Sequence, residues 1–269
     1  MESITKALQR AKAAQPGELD FIEANLVQLA SAGHGHHAGS DHGALLSEPV
    51  GFSTVSPMHL RPQHVIAYDS GDWKTRSYDV LRNQLSSDKD KLVHVVAVTA
   101  PTPGCGATVT AVNLAFSFAR LRAANVLLVD ANARSPAIGR VFGLPRHVHH
   151  NGHDASMALT TVEAGGIHVN VLRTVWDDTA KVPSATDTLR MMTQFERARQ
   201  KLRPSVIILD VSPMLTADEA IPFVLEADSV ALVLAVGQSK ITDLEVCRTY
   251  LGSKRGVQVV LNKCGKHGL

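Results

Sequence analysis

Aromatic residues make up only 4% of this chain, too few to build base-stacking platforms along its surface. Charge of one sign is equally scarce. Lys and Arg exceed Asp and Glu by a net +2, and no dense basic run localises a nucleic-acid surface. The three cysteines, Cys105, Cys247 and Cys264, are odd in number and far apart, so no disulfide framework is implied. Long apolar runs are missing too. The longest, Val230–Val236, is far too short to span a bilayer. The opening MESITKALQRAKAAQ is charged and lacks the apolar core of a signal peptide. The expectation is a soluble, cytoplasmic protein that does not bind nucleic acid. Its 269 residues, 45% of them apolar, suffice for one α/β domain or two small ones.

Helical spacing of Ile4, Ala7, Leu8 and Ala11 predicts a short amphipathic helix over Ser3–Ala14, and a second helix is expected over Glu18–Ala30. From Ser31 to about Asp69 the pattern dissolves into Gly, His, Ser and Pro and reads as a flexible linker. The boundaries expected are therefore 1–70 for the helical arm and His/Gly-rich linker, and 71–269 for the main domain. After a helix at Tyr78–Leu85, strands are expected at Val93–Thr99, Val126–Asp130, Val169–Leu172, Val206–Asp210, Val230–Val236 and Val257–Leu261. Helices at Thr108–Arg122, Thr186–Leu202, Asp218–Glu226 and Asp243–Leu251 separate several of them. Uninterrupted Val/Ile/Leu strands alternating with helices specify a doubly wound, mostly parallel sheet covered on both faces. Ligands of such sheets bind beyond the strand C-termini.

One of those C-termini carries Ala100–Thr110, APTPGCGATVT, the outline of a phosphate-binding loop. The general pattern is G-x-x-x-x-G-K-[ST]: backbone amides cradle phosphates, Lys reaches the β/γ-phosphates and the hydroxyl holds Mg²⁺. Gly106 and Thr108 are in place, Pro101 holds the first glycine position, and Ala107 stands where the lysine belongs. Two further strands end in carboxylates, Asp130 in VLLVDANARSP and Asp210 in VIILDVSPM. With Thr108 they form a candidate Mg²⁺ site of hard oxygen donors. As an alternative, both Asp residues cap the segments that follow them. VVLNK ends the last strand with Asn262 and Lys263, placed to touch a base. The expected nucleotide contacts are Gly104, Cys105, Gly106, Ala107, Thr108, Val109, Arg134, Asn262 and Lys263, with Arg134 the candidate cation from the neighbouring loop.

In combination, the Pro-x-Pro-Gly-x-Gly loop, the Asp-Ala-x-x-Arg-x-Pro element and the late Asp resemble the catalytic domain of bacterial tyrosine kinases (BY-kinases) of capsule and exopolysaccharide synthesis. These belong to the deviant-Walker P-loop ATPases. The resemblance runs from about Arg76 to the C-terminus, and SITKALQRAKA is similar to the N-termini of autokinases of exopolysaccharide export. It implies a P-loop fold, ATP or ADP with Mg²⁺, and a membrane-embedded chain-length regulator as partner, with recruitment of a cytoplasmic protein to the inner membrane. Departures from the pattern are Ala107, Asn132 in place of a second Asp, and Val211-Ser212 in place of Thr-Pro. The family's oligomerisation frame Glu-x-x-Arg-x-x-Arg reads Arg76-x-x-Asp79-x-x-Arg82 here, which keeps a homo-oligomer through the Arg76–Leu85 helix as an expectation with two charges reversed. Only Tyr68, Tyr78 and Tyr250 are present, with no tyrosine-rich tail.

The expectation is a catalytically inactive relative that acts as regulator or scaffold, retaining weak or vestigial nucleotide binding. Its rival is an active tyrosine autokinase, distinguished by phosphotyrosine after expression. A third reading, an ATPase of the cell-division or partition type, needs an additional loop lysine that Pro101–Cys105 lacks. The histidine clusters (His34, His36, His37 and His42; His147, His149, His150 and His153) lack an accompanying Cys or Glu and read as loop histidines rather than a Zn²⁺ or Ni²⁺ site. Cys105 reads as a small filler within the loop.

Overall fold

Two of the central strands, β3 (Val126–Ala131) and β6 (Val206–Val211), are buried at every position. Their unbroken apolar sequences have no solvent face to offer, so they sit in mid-sheet under helices on both sides. In this computed structural model, residues 51–86, 93–122, 124–145, 156–175, 185–218, 220–252 and 256–265 are described. All of them belong to one compact unit, Val50–Leu269. The expected N-terminal helices and both histidine clusters lie outside the described residues.

Eight strands form one sheet. With β1 (Gly51–Thr54), β2 (His94–Thr99), β4 (Ser156–Ala164), β5 (Ile167–Val175), β7 (Ser229–Ala235) and β8 (Val257–Asn262), the order is β1-β4-β5-β3-β6-β2-β7-β8. Every pairing is parallel except β4 with β5. One face carries α1 (Pro57–Leu60), α2 (Thr75–Leu85), α3 (Ala107–Ala119) and α4 (Ile138–Val141). The opposite face carries α5 (Ala185–Leu202), α6 (Ala220–Glu226) and α7 (Ile241–Leu251). This is the expected doubly wound α/β architecture, with each expected strand and helix of the core found within a few residues of its place.

Two features depart from the sequence reading. The hairpin β4–β5 adds an antiparallel pair inside the outer strand β1, turned by Gly165 and Gly166 at φ 58° and 79°. A two-residue turn with both residues left-handed suits glycine and matches the twist of the flanking strands. The second departure is the segment 51–69, expected to be linker, which is part of the domain. It pairs β1 with β4, and it buries Leu60, Val65, Ala67 and Tyr68 against the core. Asn113, fully buried on α3, pins it: Oδ1 accepts from Ile66 N at 2.8 Å and Ala67 N at 3.0 Å, and Nδ2 donates to His64 O at 3.0 Å. Asn113→Ala should therefore cost about 2 kcal/mol, since it strands two buried amides. Urea denaturation checks this, and a midpoint equal to wild type contradicts it.

Candidate functional site

The phosphate-loop outline becomes a real turn because β2 ends at Thr99 and α3 begins at Ala107, with Gly106 between them at φ 96°. Only glycine takes that conformation without strain. Three neighbours hold the loop. Met214 N and Leu215 N donate to Ala100 O (2.9 Å) and Pro101 O (3.1 Å), and Thr99 Oγ1 donates to Ser212 O. Asn262 Nδ2, at the end of β8, donates to Cys105 O at 2.9 Å. Gln238 Nε2 donates to Pro103 O at 2.6 Å, with Lys263 Nζ 3.4 Å from its Oε1. A Cβ on Gly106 would stand 2.2 Å from Asn262 Nδ2, so glycine is required there on steric grounds as well. Thus Asn262 and Lys263 meet the loop and its neighbour Gln238, and the Asn262 amide is already engaged with backbone. Cys105 is buried, its sulfur 3.4 Å from Ser239 Oγ. The first-turn amides of α3, including those of Ala107, Thr108 and Val109, have no acceptor within the helix and make its N-terminus an anion-binding end.

Asp130 and Asp210 stand opposite one another in register on β3 and β6. Both carboxyls are pushed upward, first by burial. Asp130 reaches about 7 despite the amides of Ile138, Asn132 and Ala137 and the nearby Arg173, while the charge of Asp130 adds to the rise at Asp210. Asp130 Oδ2 accepts from Ala137 N and Ile138 N, both at 3.1 Å, so it does cap the following turn. Its Oδ1 and both oxygens of Asp210 are buried without a hydrogen bond. The Thr108 hydroxyl faces Asp210 and opposes its rise, though not at hydrogen-bond geometry. Three orphaned carboxylate oxygens beside a hydroxyl suit a hard divalent cation. Among the described residues no cluster of three or more His, Cys, Asp or Glu exists. Phosphate oxygens and water must then complete the shell, so Mg²⁺ fits here together with a nucleotide and poorly without one.

The family departures have local explanations. Asn132 Oδ1 accepts from Ser212 Oγ at 3.0 Å, so two of the substituted positions bond to each other across the sheet top. Arg134 leans away toward Asp218 at 3.6 Å. On α2, Asp79 accepts from Arg82, Arg120 and Ser117, and Arg82 also donates to Ser117 O at 2.8 Å. These charges anchor α2 to α3, leaving Arg76 exposed from the expected oligomerisation frame. Sequence reasoning missed Gln238 and Arg173. Arg173 lies on β5 beside Asp130 and is only 4% exposed. A charged residue inside the apolar run VNVLRTV was the signal that could have found it.

No family model matches the chain. Over 185 residues it is 29% identical to the tyrosine-protein kinase CpsD of Streptococcus pneumoniae, a match covering 67% of this chain and 79% of that one. Its fold is that of the chimerical protein CapA2B2 (TM-score 0.58, 17% identity, 82% of this chain and 96% of that chain). The kinase domain of Escherichia coli tyrosine kinase ETK is similar at TM-score 0.54 and 17% identity, over 86% of this chain and 99% of that chain. The BceF tyrosine kinase domain gives 0.52 and 22%, over 80% and 93%. The chain is thus similar in sequence to a bacterial tyrosine kinase and shares the fold of tyrosine kinase domains, with Ala107 at the lysine position of its phosphate loop.

Proposed function

We propose that this chain binds Mg²⁺ with ADP or ATP at the α3 N-terminus but does not transfer phosphoryl groups. In this reading it works in the cytoplasm as a regulatory or scaffold subunit of an exopolysaccharide or capsule synthesis and export system, recruited to the inner membrane by a membrane-embedded chain-length regulator. The observation that carries it is a retained cradle without its cation: Gly106, Thr108, Asp130 and Asp210 keep their places while Ala107 replaces the lysine. A hydrogen bond to a charged group contributes about 1.5–3 kcal/mol, so its loss weakens binding by roughly 10- to 150-fold. The catalytic loss is larger, because phosphoryl transfer needs positive charge at the transition state. The tyrosines agree with inactivity. Tyr68 is buried and Tyr78 is held in the core edge with its phenol pushed upward by burial, which leaves Tyr250 on α7 as the exposed hydroxyl.

Two measurements test this. Purified protein incubated with Mg·ATP should show negligible ATPase turnover and no phosphotyrosine; phosphorylation of Tyr250 that depends on Asp130 and Asp210 would restore the autokinase reading. When co-expressed with a membrane-embedded polysaccharide chain-length regulator, the protein should co-purify with membranes. Fractionation as a free monomer in the presence of that partner ends the scaffold reading.

A further inference from the structure

At the top of the sheet, Arg173, Asp130 and Asp210 occupy neighbouring strands in the order β5, β3, β6. The registers Val129↔Leu172 and Asp130↔Asp210 bring the three side chains level, on the face that also carries α3. Strand spacing puts successive members of this row about 5 Å apart. Arg173 is almost wholly buried, and its Nε has no hydrogen-bond partner. Asp130 does not complete it: Oδ2 is taken by two backbone amides and Oδ1 is itself unpartnered. The row therefore holds an arginine whose Nε lacks a hydrogen bond at one end and three carboxylate oxygens without hydrogen bonds beside it, with Arg173 and Asp130 attracting one another as charges. Buried polar atoms without hydrogen bonds are costly, and the attraction between Arg173 and Asp130 leaves both oxygens of Asp210 and the Arg173 Nε without a hydrogen-bond partner.

One kind of ligand satisfies both ends at once. A phosphoryl group brings oxyanions for the arginine and, with its metal, a cation for the carboxylates. The carboxylates lie between β5 and the phosphate loop at the end of β2. A nucleotide with its inner phosphates on the α3 amides thus turns its terminal phosphoryl group toward the carboxylates, on whose far side Arg173 stands. Gly139 packs against the arginine, where a Cβ would already touch Arg173 Cδ at 3.4 Å and Nη1 at 3.5 Å. Other cations are turned elsewhere, Arg134 toward Asp218 and Lys263 toward Gln238.

We propose that Arg173 supplies, from β5, the cationic contact to the terminal phosphoryl group of a bound nucleoside triphosphate that Ala107 cannot make. The inference rests on the nucleotide-binding reading above and adds to it a preference for triphosphate over diphosphate. A guanidinium at the far end of the phosphate chain touches the group that ADP lacks.

Calorimetry of wild type, Arg173→Met and Arg173→Lys with Mg²⁺ and either ADP or a non-hydrolysable ATP analogue tests it. Arg173→Met should lose about 10- to 100-fold in affinity for the triphosphate and keep its affinity for ADP, and Arg173→Lys should recover part of the loss. Equal triphosphate affinity in wild type and Arg173→Met overturns the proposal. So does a parallel loss of both nucleotides with a lowered melting temperature, which marks a structural role. Wild type that binds neither nucleotide instead overturns the nucleotide-binding reading itself, and the Arg173 assignment falls with it.

Discussion

Ala107→Lys should bind Mg·ADP about 10- to 150-fold more tightly than the wild-type protein. The loop already has the required shape: Gly106 takes its left-handed turn, Asn262 and Gln238 hold Cys105 O and Pro103 O, and the α3 amides face the phosphate position. Lysine at the first helical residue introduces no backbone strain, since its helix propensity is close to that of alanine. The added cation is therefore worth roughly one charge-assisted hydrogen bond. Turnover should stay negligible, because Asn132 is bonded to Ser212 and no second carboxylate stands at that position. Calorimetry on the two proteins decides the matter. A folded variant with no gain in affinity would mean that the cradle no longer closes on phosphate.

A second large effect concerns pH. The ligand-free protein should lose stability as pH rises from about 4 to about 7, and Asp210→Asn should remove the share of that loss carried by Asp210. Asp130 titrates near 7 in the folded protein against an ordinary 3.8, and Asp210 is raised in the same direction by burial and by its neighbour. The folded state accordingly holds protons that the unfolded chain has released. That stability is complete below the unfolded value and disappears as pH passes through the folded one. A shift of about three units corresponds to at most about 4 kcal/mol, and roughly half of it surviving relaxation still moves the melting temperature by about 4–8 °C. Asparagine keeps the shape and takes away one of the two buried charges. Melting curves at pH 5 to 8 without divalent cations measure the effect. A flat profile for wild type, or an unchanged slope in Asp210→Asn, counts against it.

The central strands and the carboxylates were readable in the sequence because unbroken Val/Ile/Leu runs ending in Asp leave few alternatives to a buried parallel strand and a polar rim. The antiparallel hairpin was harder. MALTTVEA mixes Thr and Ala with its apolar positions although β1 covers its outer side, and its clearest mark was the Gly165-Gly166 turn. The segment 51–69 looked like linker because its Pro, Gly and Ser signals are real, yet a few buried residues and one asparagine from α3 fix it. Polar partnerships were the least accessible. Ser212 lies 80 residues from Asn132 and Asn262 lies 157 from Cys105, and nothing local in either segment announces its partner. The charges on α2 show the same limit, since Asp79 and Arg82 could face a second protomer or, as here, Ser117 and Arg120.

The Asn262 clasp ties the loop to β8, the outermost strand at that side of the described sheet, whose Val259 and Leu261 remain largely exposed. Outer strands with little cover open at lower free energy than the interior. Detachment of β8 alone would release Cys105 O and free Gly106 from the amide crowding it, while β3, β6 and both carboxylates stayed assembled. Ligand competence would then vanish well before cooperative melting. In amide exchange, the protection of residues 104–108 should follow that of Val257–Asn262 rather than that of the sheet interior.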